Sequence, residues 1–147
     1  MIRHAAIALM LSLVGVLPAS AQETRAAPAA VNAISEAFLT QMKSGRVSEA
    51  VHGAFKETEP FMGSTNIDAL VANMNGFMNT LGKIQDWKLY RNKFPDTDLV
   101  EQTYFVRCAN VPFFITIQLY NPGDKWRIID LQMNTYQNAK TAGYVDK

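Results

Sequence analysis

An α+β fold is what this sequence predicts: three helices followed by a four-stranded antiparallel meander. Apolar residues recur at helical spacing between residues 31 and 81, the period changes to two beyond Gly82, and short turn signals divide the remainder into four runs. Helices first and strands after, each with one apolar face, lead to a roll in which the helices cover one face of a curved sheet.

The chain opens with a basic Arg3, an apolar run from Ala5 to Leu17, then Pro18 and the small-residue signal Ala19-Ser20-Ala21. This pattern reads as a secretory signal peptide, residues 1–21, cleaved after Ala21. The run is too short for a permanent membrane anchor, and no cysteine follows it to carry a lipid. The expected location is periplasmic or secreted. Residues 22–30, "QETRAAPAA", form a flexible lead, 31–134 the folded roll, and 135–147 a C-terminal tail.

The whole chain has 14 basic and 13 acidic residues, and removing Arg3 makes it formally neutral. A neutral chain has no global field to gather nucleic acid or an anionic membrane, so neither is an expected partner. Cys108 is the sole cysteine and excludes an intrachain disulfide, so stability must come from a packed core.

Val31, Ile34, Phe38 and Met42 define the first helix, ended by Gly45; Val47, Ala50, Val51, Ala54 and Phe55 define a second packed back on it. Pro60 and Gly63 then break the chain. Thr65 and Asp68 have capping-box spacing at the start of a third helix, whose stripe runs Ile67, Leu70, Val71, Met74, Phe77, Met78 and Leu81 before Gly82.

The strands are expected near 84–94, 99–108, 113–120 and 126–134, joined by "PDTD", "ANVP" and "NPGDK". Turn length sets register, and register sets the face of every side chain. Pairing Tyr120 with Trp126 brings Ile117 to Ile129, Ile115 to Leu131 and Phe113 to Met133. The next hairpin pairs Cys108 with Phe113, Val106 with Ile115 and Tyr104 with Ile117, and the first pairs Trp87 with Val106 and Leu89 with Tyr104. All three build one apolar face. The opposite face is mixed, with Phe105, Phe114, Tyr120, Trp126 and Ile128, and it receives Asp130 opposite Thr116. Slipping one residue would expose Ile115, Ile117, Ile129 and Leu131 together, at roughly 1.5–3 kcal/mol per side chain.

The opening "AFLTQMKSGRVSEAVHGAF" and the closing "GDKWRIIDLQM" resemble the cystatin-like, nuclear-transport-factor-2-like (SnoaL-like) superfamily, over roughly residues 31–134. Two helices about a glycine turn, then a sheet ending in a Gly-x-Trp-x-Ile-like strand, are the shared features. The nearest look-alikes are small exported bacterial domains without assigned function. The resemblance implies a cone between helices and sheet, where ketosteroid isomerases and SnoaL-like cyclases carry inward Asp, His or Tyr side chains.

Here the core face offers Tyr104, Cys108 and, towards the sheet end, Gln102 and Arg91, without a carboxylate. An isomerase-like Asp and Tyr pair is therefore not supported, and no catalytic residue is assigned. His52 has Glu49 one turn before it, but such metal sites need a second copy of that spacing, so no metal is expected. Nucleophile elbows, phosphate-binding glycine loops and haem-attachment motifs do not occur, and no cofactor is implied. "KLYRNKF" mixes basic and aromatic residues, read as an edge strand whose charges discourage pairing with other chains. Cys108 reads as a buried small residue.

The functional expectation is a non-catalytic module that binds a small apolar ligand between the third helix and the sheet, at Met74, Met78, Trp87 and Tyr104. It is joined by an interaction role for the outer aromatics Phe105, Phe114, Tyr120 and Trp126, including a homodimer through that face. The alternative is an acid–base enzyme of the ketosteroid-isomerase or SnoaL-like type acting on a small apolar substrate.

Overall fold

The computed structural model describes residues 26–141; the expected signal peptide, 1–21, the first part of the expected lead and the end of the tail lie outside the described residues. Helix α1 spans Ala29–Lys43, following Pro28, whose carbonyl accepts the Val31 N–H at 2.9 Å. It buries Val31, Ser35, Phe38, Leu39 and Met42. The Gly45 and Arg46 amides then bond back to Met42 and Gln41, and α2, Val47–Phe55, packs on α1 with Val47, Ala50, Val51 and Phe55.

Two corrections concern the next stretch. The Pro60 segment is no plain break: Glu59–Met62 form a one-turn helix, α3, with proline in the first turn where its missing N–H costs nothing. Four helices therefore precede the sheet, instead of the three expected. Helix α4, Ser64–Leu81, has Gly63 as its N-cap and no side-chain cap bond, so Thr65 and Asp68 make no capping box. Asp68 instead approaches His52 Nε2 of α2 at 3.4 Å.

Gly82 ends α4 at φ 82°, its N–H bonded to the Met78 carbonyl. A Cβ there would lie 3.1 Å from Ala109 and 3.2 Å from Asn110, because the 109–112 loop docks on this helix end. The Asn110 N–H bonds to the Leu81 carbonyl at 2.9 Å and the Ala109 N–H to that of Lys83 at 2.9 Å.

Strands β1 (Ile84–Asp96), β2 (Leu99–Cys108), β3 (Phe113–Tyr120) and β4 (Arg127–Thr135) form an open antiparallel sheet in chain order, so β1 and β4 are its edges. Trp87 pairs with Val106 and Leu89 with Tyr104, as the first turn predicts. The other two hairpins are displaced by two residues: Val106 faces Phe113, Tyr104 faces Ile115, Ile117 faces Leu131 and Ile115 faces Met133. The physical reason lies in the loops. The β2–β3 loop bonds to the α4–β1 connection, and the β3–β4 ladder takes up the extra residue Ile129, so neither pairing follows the tight-hairpin register. An even displacement keeps side chains on their faces wherever the pairing is regular.

Bulges do change faces. Leu119 pairs with Ile128 and Gln118 with Asp130, leaving Ile129 as the extra residue. Ile128 thus enters the core at 1% exposure and Ile129 leaves it, the reverse of the regular register. A second irregularity between Leu89 and Arg91 sets Arg91 opposite the outward Thr103, correcting its expected core-facing position.

The core unites α1, α2 and α4 with the face carrying Val100, Tyr104, Val106, Phe113, Ile115, Ile117, Leu119, Ile128 and Leu131. A short α5, Tyr136–Thr141, approaches β3 and β4, bringing Tyr136 to Phe114 of the opposite face.

Candidate functional site

Helix α4 makes its close backbone approaches to α2 and α3 more than to the sheet. Only Ile67, Met74 and Leu81 of its stripe are fully buried; Leu70, Val71, Phe77 and Met78 are half-buried against the core. Phe77 reaches the sheet edge-on, its ring centroid 5.8 Å from that of Phe113. Beside this contact a crevice of about 210 Å³ opens between α4 and β4, lined by Leu70, Asn73, Met74, Phe77, Leu131 and Met133. Its walls are apolar except for Asn73.

The four predicted ligand residues do not meet in one cavity. Met74 lines this crevice, whereas Met78 lines a separate opening of about 300 Å³, near Lys43, Asn75 and Lys83. Trp87 lies beside α1, its indole N–H donating to Glu36 at 2.7 Å with the Lys43 ammonium 5.8 Å from its ring centre. Tyr104 is fully buried.

Tyr104 belongs to a hub whose centre, Gln102, the sequence placed on the core face without a partner. Gln102 Oε1 accepts from Ser35 Oγ at 2.7 Å and from the Tyr104 hydroxyl at 3.3 Å; its Nε2 donates to Asn32 at 2.8 Å and Asn92 at 3.0 Å. Burial, reinforced by the negative charge of Glu36, pushes the Tyr104 hydroxyl up to about 12. At neutral pH it is a fixed neutral donor. The signal that could have found this hub is a polar residue inside each apolar period, Ser35 in the α1 stripe and Gln102 between Val100 and Tyr104.

The outer aromatics divide too. Phe114 is only 4% exposed, enclosed by Phe105, Tyr90 and Tyr136 with ring centroids 5.2, 5.6 and 6.3 Å away. Trp126 packs half-buried against the core, and Tyr120 is exposed near the β3–β4 turn. Between them runs a polar strip: Thr103 and Thr116 hydroxyls share a 3.1 Å bond, Gln118 donates to Glu101 at 3.3 Å, and Gln132 donates to Asp130 at 2.8 Å. Asp130 therefore stands opposite Gln118, two residues from its expected partner Thr116, and faces away from the helices.

A third opening, about 400 Å³, lies between α3 and the β4 edge, with Phe61, Met62, Tyr120, Pro122 and the bulged Ile129 in its wall. Sequence periodicity does not reveal it, since the pattern makes α3 a break and Ile129 a core residue.

Among the described residues no three His, Cys, Asp or Glu side chains gather as a metal site would require, and no helix is long and apolar enough to cross a membrane. Burial raises the Cys108 thiol above its ordinary range, opposite to what a reactive thiolate needs. Asp86 is held low by the two-pronged hydrogen bonds of Arg107, and Glu57 by Lys125. No protein-family model, curated protein or solved structure matches this chain.

Proposed function

We propose that this chain is an exported, non-catalytic binding module of the cystatin-like, nuclear-transport-factor-2-like type, which holds a small apolar ligand in the crevice between α4 and β4. The observation that carries the reading is the makeup of that crevice: Leu70, Met74 and Phe77 on one wall, Leu131 and Met133 on the other. Apolar cavities of roughly 150 Å³ accept a benzene-sized molecule. Two unbranched, polarizable methionines on opposing walls let the space adapt to a ring or a short chain.

The polar groups facing the helices favour binding over acid–base chemistry. Ser35, Gln102, Tyr104, Asn32 and Asn92 are engaged with one another, and Glu36 with Trp87. A general base needs a free lone pair within reach of substrate. Apolar ligand contact needs only the open crevice.

The test is native mass spectrometry of residues 22–147 purified from the periplasm, recorded gently and after denaturation. A bound mass that leaves on denaturation, and is absent from a folded Met133→Glu variant, supports the reading. No retained mass, together with no saturable binding of a small fluorescent apolar probe, rejects it.

A further inference from the structure

The opening of about 300 Å³ that takes Met78 differs in kind from the α4–β4 crevice, because cations stand in its wall. It lies where the end of α1, the turn into α2, the end of α4 and the start of β1 come together. Met42, Val47 and Ile84, all buried, and the half-buried Met78 make its apolar part. Asn75 and Asn79, one turn apart on α4, and the exposed Lys43 and Lys83 make its polar part. Among the described residues no Asp or Glu lines it.

The two lysines carry charge in excess. Among the described residues neither forms an ion pair. The acids of the adjoining elements are engaged elsewhere: Glu49 pairs with Arg46 at 3.2 Å, Asp68 with His52, and Glu36 accepts from Trp87. Asp86 takes two hydrogen bonds from Arg107, and Lys43 helps only by its field to hold that carboxyl low. One acid shared by two cations still leaves the opening positive. Lys43 lies 5.8 Å from the Trp87 ring centre, and a ring face attracts an ammonium without taking up all three of its N–H donors.

Excess positive charge beside an apolar wall is the complement of a molecule with an anionic head and a hydrocarbon body. The volume is at the lower end of small-molecule pockets, roughly 300–1,000 Å³, which suits one short chain or ring. A carboxylate accepts from ammonium groups and from asparagine amides alike, and bonds to a charged partner are the stronger kind. We propose that this opening binds a small amphipathic carboxylate, its head held by Lys43 and Lys83 and its hydrocarbon laid on Met42, Val47, Met78 and Ile84. The site is separate from the α4–β4 crevice and stands whether or not that crevice holds a ligand.

The probe is octanoate, titrated into residues 22–147 to roughly 10 mM and followed by amide chemical shifts, with acetate and octylammonium as controls. Saturable shifts centred on Gly45, Val47, Asn79 and Lys83 are expected with octanoate. Acetate, which lacks the body, and octylammonium, which reverses the charge, should leave those amides in place. Lys43→Gln and Lys83→Gln should each weaken octanoate about threefold and together about tenfold, the size of exposed ion pairs. Both lysines are exposed, so the variants keep the fold, and unchanged shifts elsewhere verify it. Four results overturn the proposal: no saturable octanoate binding, equal binding of octylammonium, an unweakened double variant, or shifts confined to Leu70, Phe77 and Met133. The last would move the ligand to the α4–β4 crevice and leave that reading intact.

Discussion

Replacing Gln102 by Met keeps the length of the side chain and removes all four of its hydrogen bonds. The Asn32 and Asn92 oxygens it leaves are on half-buried residues and can turn to water, whereas the Ser35 and Tyr104 hydroxyls lie at 0% and 1% exposure. Each buried hydroxyl that loses its partner costs about 1–3 kcal/mol, partly offset by the apolar thioether and by the Tyr104–Ser35 hydrogen bond, so the net loss is about 2–4 kcal/mol. For a domain of this size that lowers the melting temperature by roughly 8–16 °C. Urea unfolding followed by tryptophan fluorescence measures it directly, since Trp87 and Trp126 both pack around the core. The asymmetry supplies the sharper test. Adding Ser35→Ala and Tyr104→Phe removes the orphaned hydroxyls, so the triple variant should regain most of the loss. A single-variant loss below about 1 kcal/mol, or a triple variant less stable than the single, would show that the hub does not hold α1 on the sheet.

Tyr104 makes stability fall at alkaline pH. Its folded value of about 12 lies above its ordinary 10.0, so the folded chain keeps the proton longer. Its contribution is intact below the unfolded value and declines by about 1.4 kcal/mol per pH unit between the two. Comparing wild type with Tyr104→Phe from pH 9 to 12 should remove that slope, and one tyrosine should resist ionisation in the absorbance titration. Gly82→Ala forces a Cβ onto a positive φ and against Ala109, costing about 1–3 kcal/mol; an unchanged urea midpoint would contradict the described loop contact. Ile128→Ala should cost about 2–5 kcal/mol and Ile129→Ala distinctly less, because only Ile128 is in the core. The reverse order would mean that the bulge is absent and the regular register correct.

The bulge marks where the sequence stops being readable. Alternation at Phe113, Ile115 and Ile117 is insensitive to even displacements, so these faces follow from pattern even though two of the three pairings are off by two residues. At "RIID" two isoleucines stand side by side, and either can enter the core according to whether one extra residue is accommodated. Nothing in period-two reasoning distinguishes them. What separates them is the ladder itself: Leu119 pairs with Ile128 and Gln118 with Asp130, while the far end pairs Ile115 with Met133.

The candidate sites follow the same division. Met74 was legible because one continuous stripe defines α4, and any crevice between that helix and the sheet has to be lined by it. Trp87 and Tyr104 share its sheet face but lie under α1, and strand alternation says which face a residue takes without saying which helix covers it. Phe61 was illegible for the opposite reason. A single turn of four residues has too little length for a period, and Pro60 and Gly63 read as punctuation when they are the two ends of α3. The most exposed aromatic of the fold therefore lies where pattern carries least information.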